Sequence, residues 1–284
     1  TRGLQASVVQ NTLIDGLKIA ATTDYPIEQF QRIDVLNGLA GALFGPAQPG
    51  GTFNYVMKRP TAEPLHRLTA GYLSQSQWLA HADLGGYADP EHRFGYRLNL
   101  LDQDGTSYVD NGRLKRQLAS FSGDIRLGPD TVLETNASIY HYLTRGLPGT
   151  FAVANNVVFP AAVDPTRVGY GQPWGGDDNT TTFLSGRIKH DINENWRFSA
   201  GVSRNTSDRA STVPTNTIRS NAGNFVTTAA TTTFSLDTVD SNQAALNGRF
   251  ETGPIKHDLF LATNGFLWNR YTPFNRGAIT VGSA

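Results

Sequence analysis

The sequence predicts a mixed fold: a small α/β unit over residues 1–60, then a long antiparallel run of β-strands over 61–284. Three observations predict it. Beyond residue 60 apolar residues recur with period two, the mark of strands with one apolar face. The strand-like segments exceed the globular mean of about 5–6 residues and reach the ~9–11 tilted residues that cross a bilayer. Their connections alternate between short and long, as outer-membrane barrels require.

Composition narrows the function classes. The chain has 284 residues, no cysteine, one methionine, and 24 basic against 24 acidic residues. That length holds one large domain or two smaller ones. A net charge of zero gives no electrostatic case for nucleic acid. Without cysteine there is no thiolate chemistry, disulfide or zinc finger. The sequence carries no charged segment leading into an apolar run, so no secretory signal is expected within it, and no apolar stretch is long enough for a transmembrane helix.

In the first sixty residues, Leu4–Val9 and Asn11–Ile14 read as short strands, with Asp15-Gly16 as the turn into Leu17–Ile19. Ile27, Phe30, Ile33 and Leu36 recur every third residue and predict a helix. Asp24 is its candidate N-cap, Pro26 fits the first turn, and Asn37-Gly38 closes it. A second short helical turn is expected over Leu39–Phe44. Gly45-Pro46 and Pro49-Gly50-Gly51 then reverse the chain into a strand over Thr52–Lys58. The spacing Gly45 to Gly50-Gly51-Thr52 imitates a phosphate-binding loop, but Gly51 replaces the lysine and no strand precedes it.

Nine strands are expected near 66–75, 77–87, 93–103, 114–127, 131–144, 182–192, 195–206, 234–250 and 256–270. In the third, Phe94, Tyr96, Leu98 and Leu100 oppose Arg93, Gly95, Arg97 and Asn99. In the seventh, Trp196, Phe198, Ala200 and Val202 oppose Arg197, Ser199, Gly201 and Ser203. Arginine facing lipid at the midplane costs about 2–4 kcal/mol, so the charged faces should look inward and the apolar faces outward. Tyr72, Tyr87, Tyr142 and Trp196 are candidates for interfacial aromatic girdles. Turns after the second, fourth, sixth and eighth strands are short; those after the third, fifth and seventh should be long.

Catalytic constellations are weak. None of the six histidines pairs with another at metal-ligand spacing. Gly201-Val202-Ser203-Arg204-Asn205 lacks the closing glycine of a nucleophile elbow and falls in a strand. Asp177-Asp178 does not have calcium-loop spacing and reads as a solvated loop.

Several elements, in order, carry a family resemblance. Thr1-Arg2-Gly3, Leu13-Ile14-Asp15-Gly16, QRIDVLNGLAGALFG at 31–45 and PGGTFNYVMKRP at 49–60 resemble the C-terminal half of the plug domain of TonB-dependent outer-membrane receptors, most closely the ferric-siderophore branch. Asn37 stands where that family usually has arginine and Leu39 where it has proline, which removes one usual plug–barrel latch. The resemblance implies a plug remnant over 1–60 and the first wall strands over 61–284 of a barrel of about 22 strands, an internal fragment of a receptor that is monomeric when full length. It implies an outer-membrane, lipid-embedded transporter of a ferric siderophore, without catalytic cofactor or metal site, energised by a TonB-type partner whose contact box is missing here. Ligand contacts are expected at the apical plug residues Gln10, Thr22, Thr23 and Tyr25, and at loop residues Tyr108 and Trp174, with Arg2 as a plug–barrel contact. Two competing readings are an outer-membrane barrel enzyme of lipase or protease type and a soluble β-sandwich binding module.

Overall fold

The computed structural model describes residues 7–37, 44–45, 47–73, 76–167, 169–230, 233–273 and 278–283. The N-terminal part is a four-stranded sheet of β1 (Thr12–Ile14), β2 (Leu17–Lys18), β3 (Phe30–Leu36) and β4 (Thr52–Met57), in the order β2-β1-β4-β3. β1 runs parallel to β4, and the other pairs are antiparallel. The Asp15-Gly16 turn joins β1 to β2 with both residues at positive φ, 49° and 81°. Asp15 tolerates that conformation because its carboxylate accepts from the Met57 amide at 3.0 Å, while the Gly16 amide donates to Asn54 Oδ1 at 2.8 Å.

The helix expected over 27–36 does not form. Ile27–Gln29 makes one 3-10 turn, and Phe30–Leu36 is strand β3, paired with β4 through Ile33 opposite Tyr55 and Val35 opposite Phe53. An every-third-residue apolar period is ambiguous over ten residues, and β-branched Ile33 and Val35 favour the pleated partner that β4 supplies. Of the second helical expectation, over Leu39–Phe44, residues 39–43 lie outside the described residues. Val8–Asn11 is a turn rather than the end of a strand.

The rest of the chain builds a wall. Its strands are β5 (Leu65–Leu73), β6 (Gln77–Tyr87), β7 (Phe94–Thr106), β8 (Arg113–Gly128) and β9 (Thr131–Arg145). A short β10 (Thr150–Val153) follows, then β11 (Gly176–Asn193) and β12 (Trp196–Thr212). β13 (Pro214–Ile218) and β14 (Phe225–Ala230) precede β15 (Thr233–Thr252), β16 (Ile255–Tyr271) and β17 (Ala278–Ser283). β5, β6, β7, β8, β9, β11, β12, β15 and β16 form one continuous antiparallel sheet of nine strands that is not closed on itself. All nine expected segments fall on these strands.

Loop parity holds from β8 onward but not before it: β5 ends at Leu73 and β6 begins at Gln77, and Ala88–Arg93 after β6 is as long as the connection after β7. Pro129-Asp130, Glu194-Asn195 and Gly253-Pro254 are tight turns, whereas residues 146–175 and 213–232 are long connections. The connection after β7 is only Ser107–Gly112. Asp177-Asp178, expected in a loop, belongs to β11, which begins at Gly176. The long connections also contain an unforeseen second sheet, in the order β10-β13-β14-β17, with β10 parallel to β13. Local period-two patterning could not reveal it, because its strands are of four to six residues and come from two connections and the segment after β16.

Burial separates the two parts. Leu13, Ile14, Leu17, Ile19 and Met57 form a fully buried apolar core in the N-terminal part. In the wall the buried residues are largely polar: Asn99, Ser120, Ser122, Asn136, Asn205 and Ser207. The residues between them on the opposite face, including Leu100, Phe121, Ile139, Leu184 and Val202, are exposed and apolar. Two girdle candidates break the expected pattern. Tyr142 shares the inward side of β9 with buried Tyr140, and Tyr87 lies beside Pro60 and Asp124 on the inner side.

Candidate functional site

The inward face of the wall is a polar surface, and residues 18–28 run across it like a strap. The Lys18 amide donates to Ser241 Oγ on β15 at 3.0 Å, and the Ala20 amide to Asn205 Oδ1 on β12 at 2.8 Å. Thr22 Oγ1 lies 2.7 Å from Ser207 Oγ on the same strand, and Thr23 Oγ1 lies 3.2 Å from Thr181 Oγ1 on β11. Tyr140 on β9 donates its hydroxyl to Asp24 at 2.9 Å. Arg116 on β8 then clamps Glu28 with a two-nitrogen fork at 3.1 and 2.9 Å. The strap thus crosses β15, β12, β11, β9 and β8 in the order in which they lie in the sheet.

The anchors on β15, β12 and β11 are small or amide side chains at inward strand positions, which let a backbone lie close to a sheet; on β9 and β8 the longer Tyr140 and Arg116 reach out to Asp24 and Glu28. Asn205 is fully buried and uses both ends of its amide: Oδ1 accepts from Ala20, and Nδ2 donates to Thr182 O at 2.9 Å and to Tyr25 Oη at 3.4 Å. Tyr25 donates back to Ala20 O at 3.2 Å and packs with Ile14, Ile19, Phe30, Met57 and Phe183. Its ring is 8% exposed, so it joins the strap to the wall rather than standing free as an aromatic surface. Burial pushes its hydroxyl well above the usual phenol range, which keeps it a neutral donor.

The Arg116 clamp is the most heavily bonded point. Besides Glu28, the guanidinium donates to Tyr140 Oη at 2.9 Å and Gln103 Oε1 at 3.0 Å. Asp24, Tyr140, Arg116 and Glu28 therefore form one chain from the strap's middle to its end. A second set of charges lies where the chain leaves β4 for the wall. Lys58 Nζ meets Asp83 at 2.9 Å and Asn99 Oδ1 at 3.1 Å. Arg59 pairs with Asp124 and donates to Asn136 Oδ1 and Gly123 O, each at 2.8 Å. Arg187 of β11 reaches the Asp15 carbonyl and lies 3.9 Å from Glu134.

Of the residues marked from sequence, Thr22, Thr23 and Tyr25 come together on the strap. Gln10 sits half-buried in the turn before it, its carbonyl receiving Lys18 Nζ at 2.5 Å. Lys18 is almost fully buried, and that burial lowers its pKa to about 8. Tyr108 and Trp174 lie on the connections after β7 and β9, 54% and 48% exposed. Those connections are tied together by Asp110 N donating to Thr166 O at 3.0 Å. Arg2 lies outside the described residues. Sequence reasoning missed Glu28, Lys58 and Arg59 on one side and Arg116, Tyr140 and Asn205 on the other. Alternation along β8 puts Arg116 on the side of buried Ser120 and Ser122, and along β9 Tyr140 on the side of buried Asn136; only the partner across the gap was not readable.

No protein-family model matches the chain. In sequence it is 32% identical over 167 residues to the metal-pseudopaline receptor CntO of Pseudomonas aeruginosa (strain UCBPP-PA14), covering 58% of this chain and 23% of that receptor. It is 29% identical over 256 residues to the ferrichrome receptor FcuA of Yersinia enterocolitica, covering 84% of this chain and 32% of that one. In fold it matches BauA, the ferric preacinetobactin receptor of Acinetobacter baumannii, with a TM-score of 0.84 at 23% identity, covering 97% of this chain and 42% of that chain. The open form of the ferric-catecholate import receptor Fiu of Escherichia coli K12 matches with a TM-score of 0.82 at 19% identity, covering 99% and 46%. The chain spans less than half the length of each of these proteins. Relatives in sequence and neighbours in fold bear out the resemblance to TonB-dependent siderophore receptors, and they are receptors rather than enzymes.

Proposed function

We propose that residues 1–60 are part of the plug, and 61–284 the first wall strands, of an outer-membrane receptor that imports a ferric siderophore in a Gram-negative cell. One observation carries this reading: the wall is polar where it is buried and apolar where it is exposed. A soluble sandwich buries its apolar face, whereas a lipid-embedded barrel turns it outward and keeps its polar face for the lumen. The strap fills that lumen through hydrogen bonds and ion pairs, which suits a plug that must hold in one state and move in another. A nine-stranded open sheet leaves two unpaired edges that lipid does not tolerate, so further strands completing a barrel of about 22 are part of this reading.

The ligand would enter from the side of the long connections and meet Tyr108, Trp174 and the Thr22–Asp24 stretch of the strap. Aromatic rings and hydroxyls suit a chelate that is large, planar in parts and rich in oxygen. Release inward needs the plug to be pulled, and a TonB-type energy-coupling partner would supply that force. The test is uptake of radioiron by cells lacking the complete gene, offered ferric hydroxamate, catecholate and citrate-type chelates one at a time. Loss of uptake of one chelate class, restored by the gene on a plasmid, is expected; unchanged uptake of every class would overturn the reading.

A further inference from the structure

Followed towards Tyr271, the inward face of β16 passes beyond the N-terminal unit. Asn264 lies against Gly45, and Phe266 packs with Val9 and Ala20. The next two inward side chains, Trp268 and Arg270, are 40% and 43% exposed. Both are held from behind by Asp237 of β15, which is fully buried. Trp268 Nε1 donates to Asp237 Oδ1 at 2.7 Å. Arg270 donates Nε to the same oxygen at 2.8 Å and Nη2 to Oδ2 at 3.2 Å. Its guanidinium lies over the indole, 5.2 Å from the ring centroid. Arg270 Nη1 has no partner among the described residues.

The strap shows which side this pair faces. One inward cross-strand row runs Tyr140, Thr181, Ser207, Asp237, Arg270 from β9 to β16. The first three hold Asp24, Thr23 and Thr22 of the strap. Asp237 accepts from Trp268 and Arg270 and from no strap residue among those described. A further strand paired to β16 would lie in the plane of the sheet, and inward side chains stand out of that plane. A buried carboxylate is costly unless partners use its oxygens, and here both oxygens are used. What it fixes is an indole and an unspent guanidinium edge, side by side and next to strap residues 22–24. Such a pair gives charge-assisted hydrogen bonds to an anionic oxygen and a flat apolar surface to the ring that carries it. We propose that Trp268 and Arg270, positioned by Asp237, contact the chelate and select an aromatic anion, so that the imported chelate is of the catecholate class. A trihydroxamate complex is neutral and gains little from either group. A citrate complex is anionic but brings no ring to the indole.

This inference deepens the transport reading and rests on it. The complete receptor, purified in detergent, would be offered radioiron held by a tris-catecholamide, by citrate or by a trihydroxamate, and the affinity for each measured from the iron retained. The tris-catecholamide should bind about tenfold more tightly than the trihydroxamate, the worth of one charge-assisted hydrogen bond, and about fivefold more tightly than citrate, the worth of the ring contact. Arg270→Gln should remove the first preference and leave the trihydroxamate unaffected. Trp268→Leu should remove the second and leave citrate unaffected. Asp237→Asn keeps the charge of Arg270 but no longer holds it beside the indole. The tris-catecholamide and citrate should then bind alike, a change of ratio that a merely destabilised wall would not produce. Arg270→Gln and Trp268→Leu replace partly exposed side chains, so they decide the matter even where Asp237→Asn does not fold. Retention of the trihydroxamate alone, or an equal loss for all three complexes in Arg270→Gln, would overturn the proposal and leave the transport reading standing. Retention of none of the three would overturn both.

Discussion

The N-terminal sheet and the wall are folded by the same hydrophobic effect used in opposite directions. Around Ile14 and Met57, apolar side chains are buried together in one core. On β12, Ser203, Asn205 and Ser207 are buried while Val202 is exposed. The difference lies in what stands outside each part. The small sheet lies against the polar side of the wall, and its apolar core packs on itself and on the few apolar wall residues that meet it, Phe183 and Val239. In a lipid-embedded receptor the wall would have hydrocarbon beyond it, so exposing Val202 would have no cost, and burying Ser207 is acceptable because Thr22 satisfies it.

That contrast can be broken most severely at its centre. Met57→Ala should destabilise the N-terminal unit by about 2–5 kcal/mol, since a buried methionine leaves a cavity its neighbours cannot close. The loss would show in urea unfolding of the complete receptor followed by proteolysis of the plug. Leu184→Arg, on the outward face, should cost about 2–4 kcal/mol in lipid vesicles, and far less in a detergent whose headgroups reach the site. Equal cost in both media would contradict an outward lipid face. Tyr140→Phe should loosen the strap by about 1–3 kcal/mol, because Asp24 and Arg116 both lose a partner. Faster hydrogen exchange across residues 20–28, with the wall strands unchanged, would check it. Arg249→Gln, at an exposed ion pair with Asp258, should change nothing measurable.

Lys18 gives a pH-dependent version of the same comparison. Its folded-state pKa is lowered to about 8 by burial, so the unfolded chain binds the extra proton between about pH 8 and the ordinary lysine value. Stability of the N-terminal unit should therefore rise as pH increases through that window. Lys18→Met should remove the rise; a slope that persists in the variant would assign it to another group.

The wall was the readable part of the sequence. Its alternation is a property of one strand at a time, so Phe94 to Leu100 and Trp196 to Ser203 give their faces without knowledge of any neighbour. The motifs of residues 1–60 made a plug-like unit legible as a resemblance, but its local structure was less so. Ile27, Phe30, Ile33 and Leu36 fit a helical stripe, and the pairing of Ile33 with Tyr55, across a Gly/Pro reversal, decided for strand. Asn37 drew attention as a missing latch, yet the ties to the wall run through Glu28, Lys58 and Arg59. These contacts join residues 25 to 88 positions apart, and no local pattern states which inward arginine meets which plug carboxylate. Thr22 and Thr23 were marked by position alone, and the structure gives them wall partners.

Single cysteines can be placed along β12 from Trp196 to Asn205 of the complete receptor, with any native cysteine outside these 284 residues replaced by serine. Spin labels at these sites, in lipid vesicles, report whether each side chain meets membrane-dissolved oxygen. Accessibility should peak at Phe198, Ala200 and Val202 and fall at Ser199, Gly201 and Ser203. Maxima at the serines, or no alternation at all, would contradict a wall that faces lipid with its apolar side and the plug with its polar one.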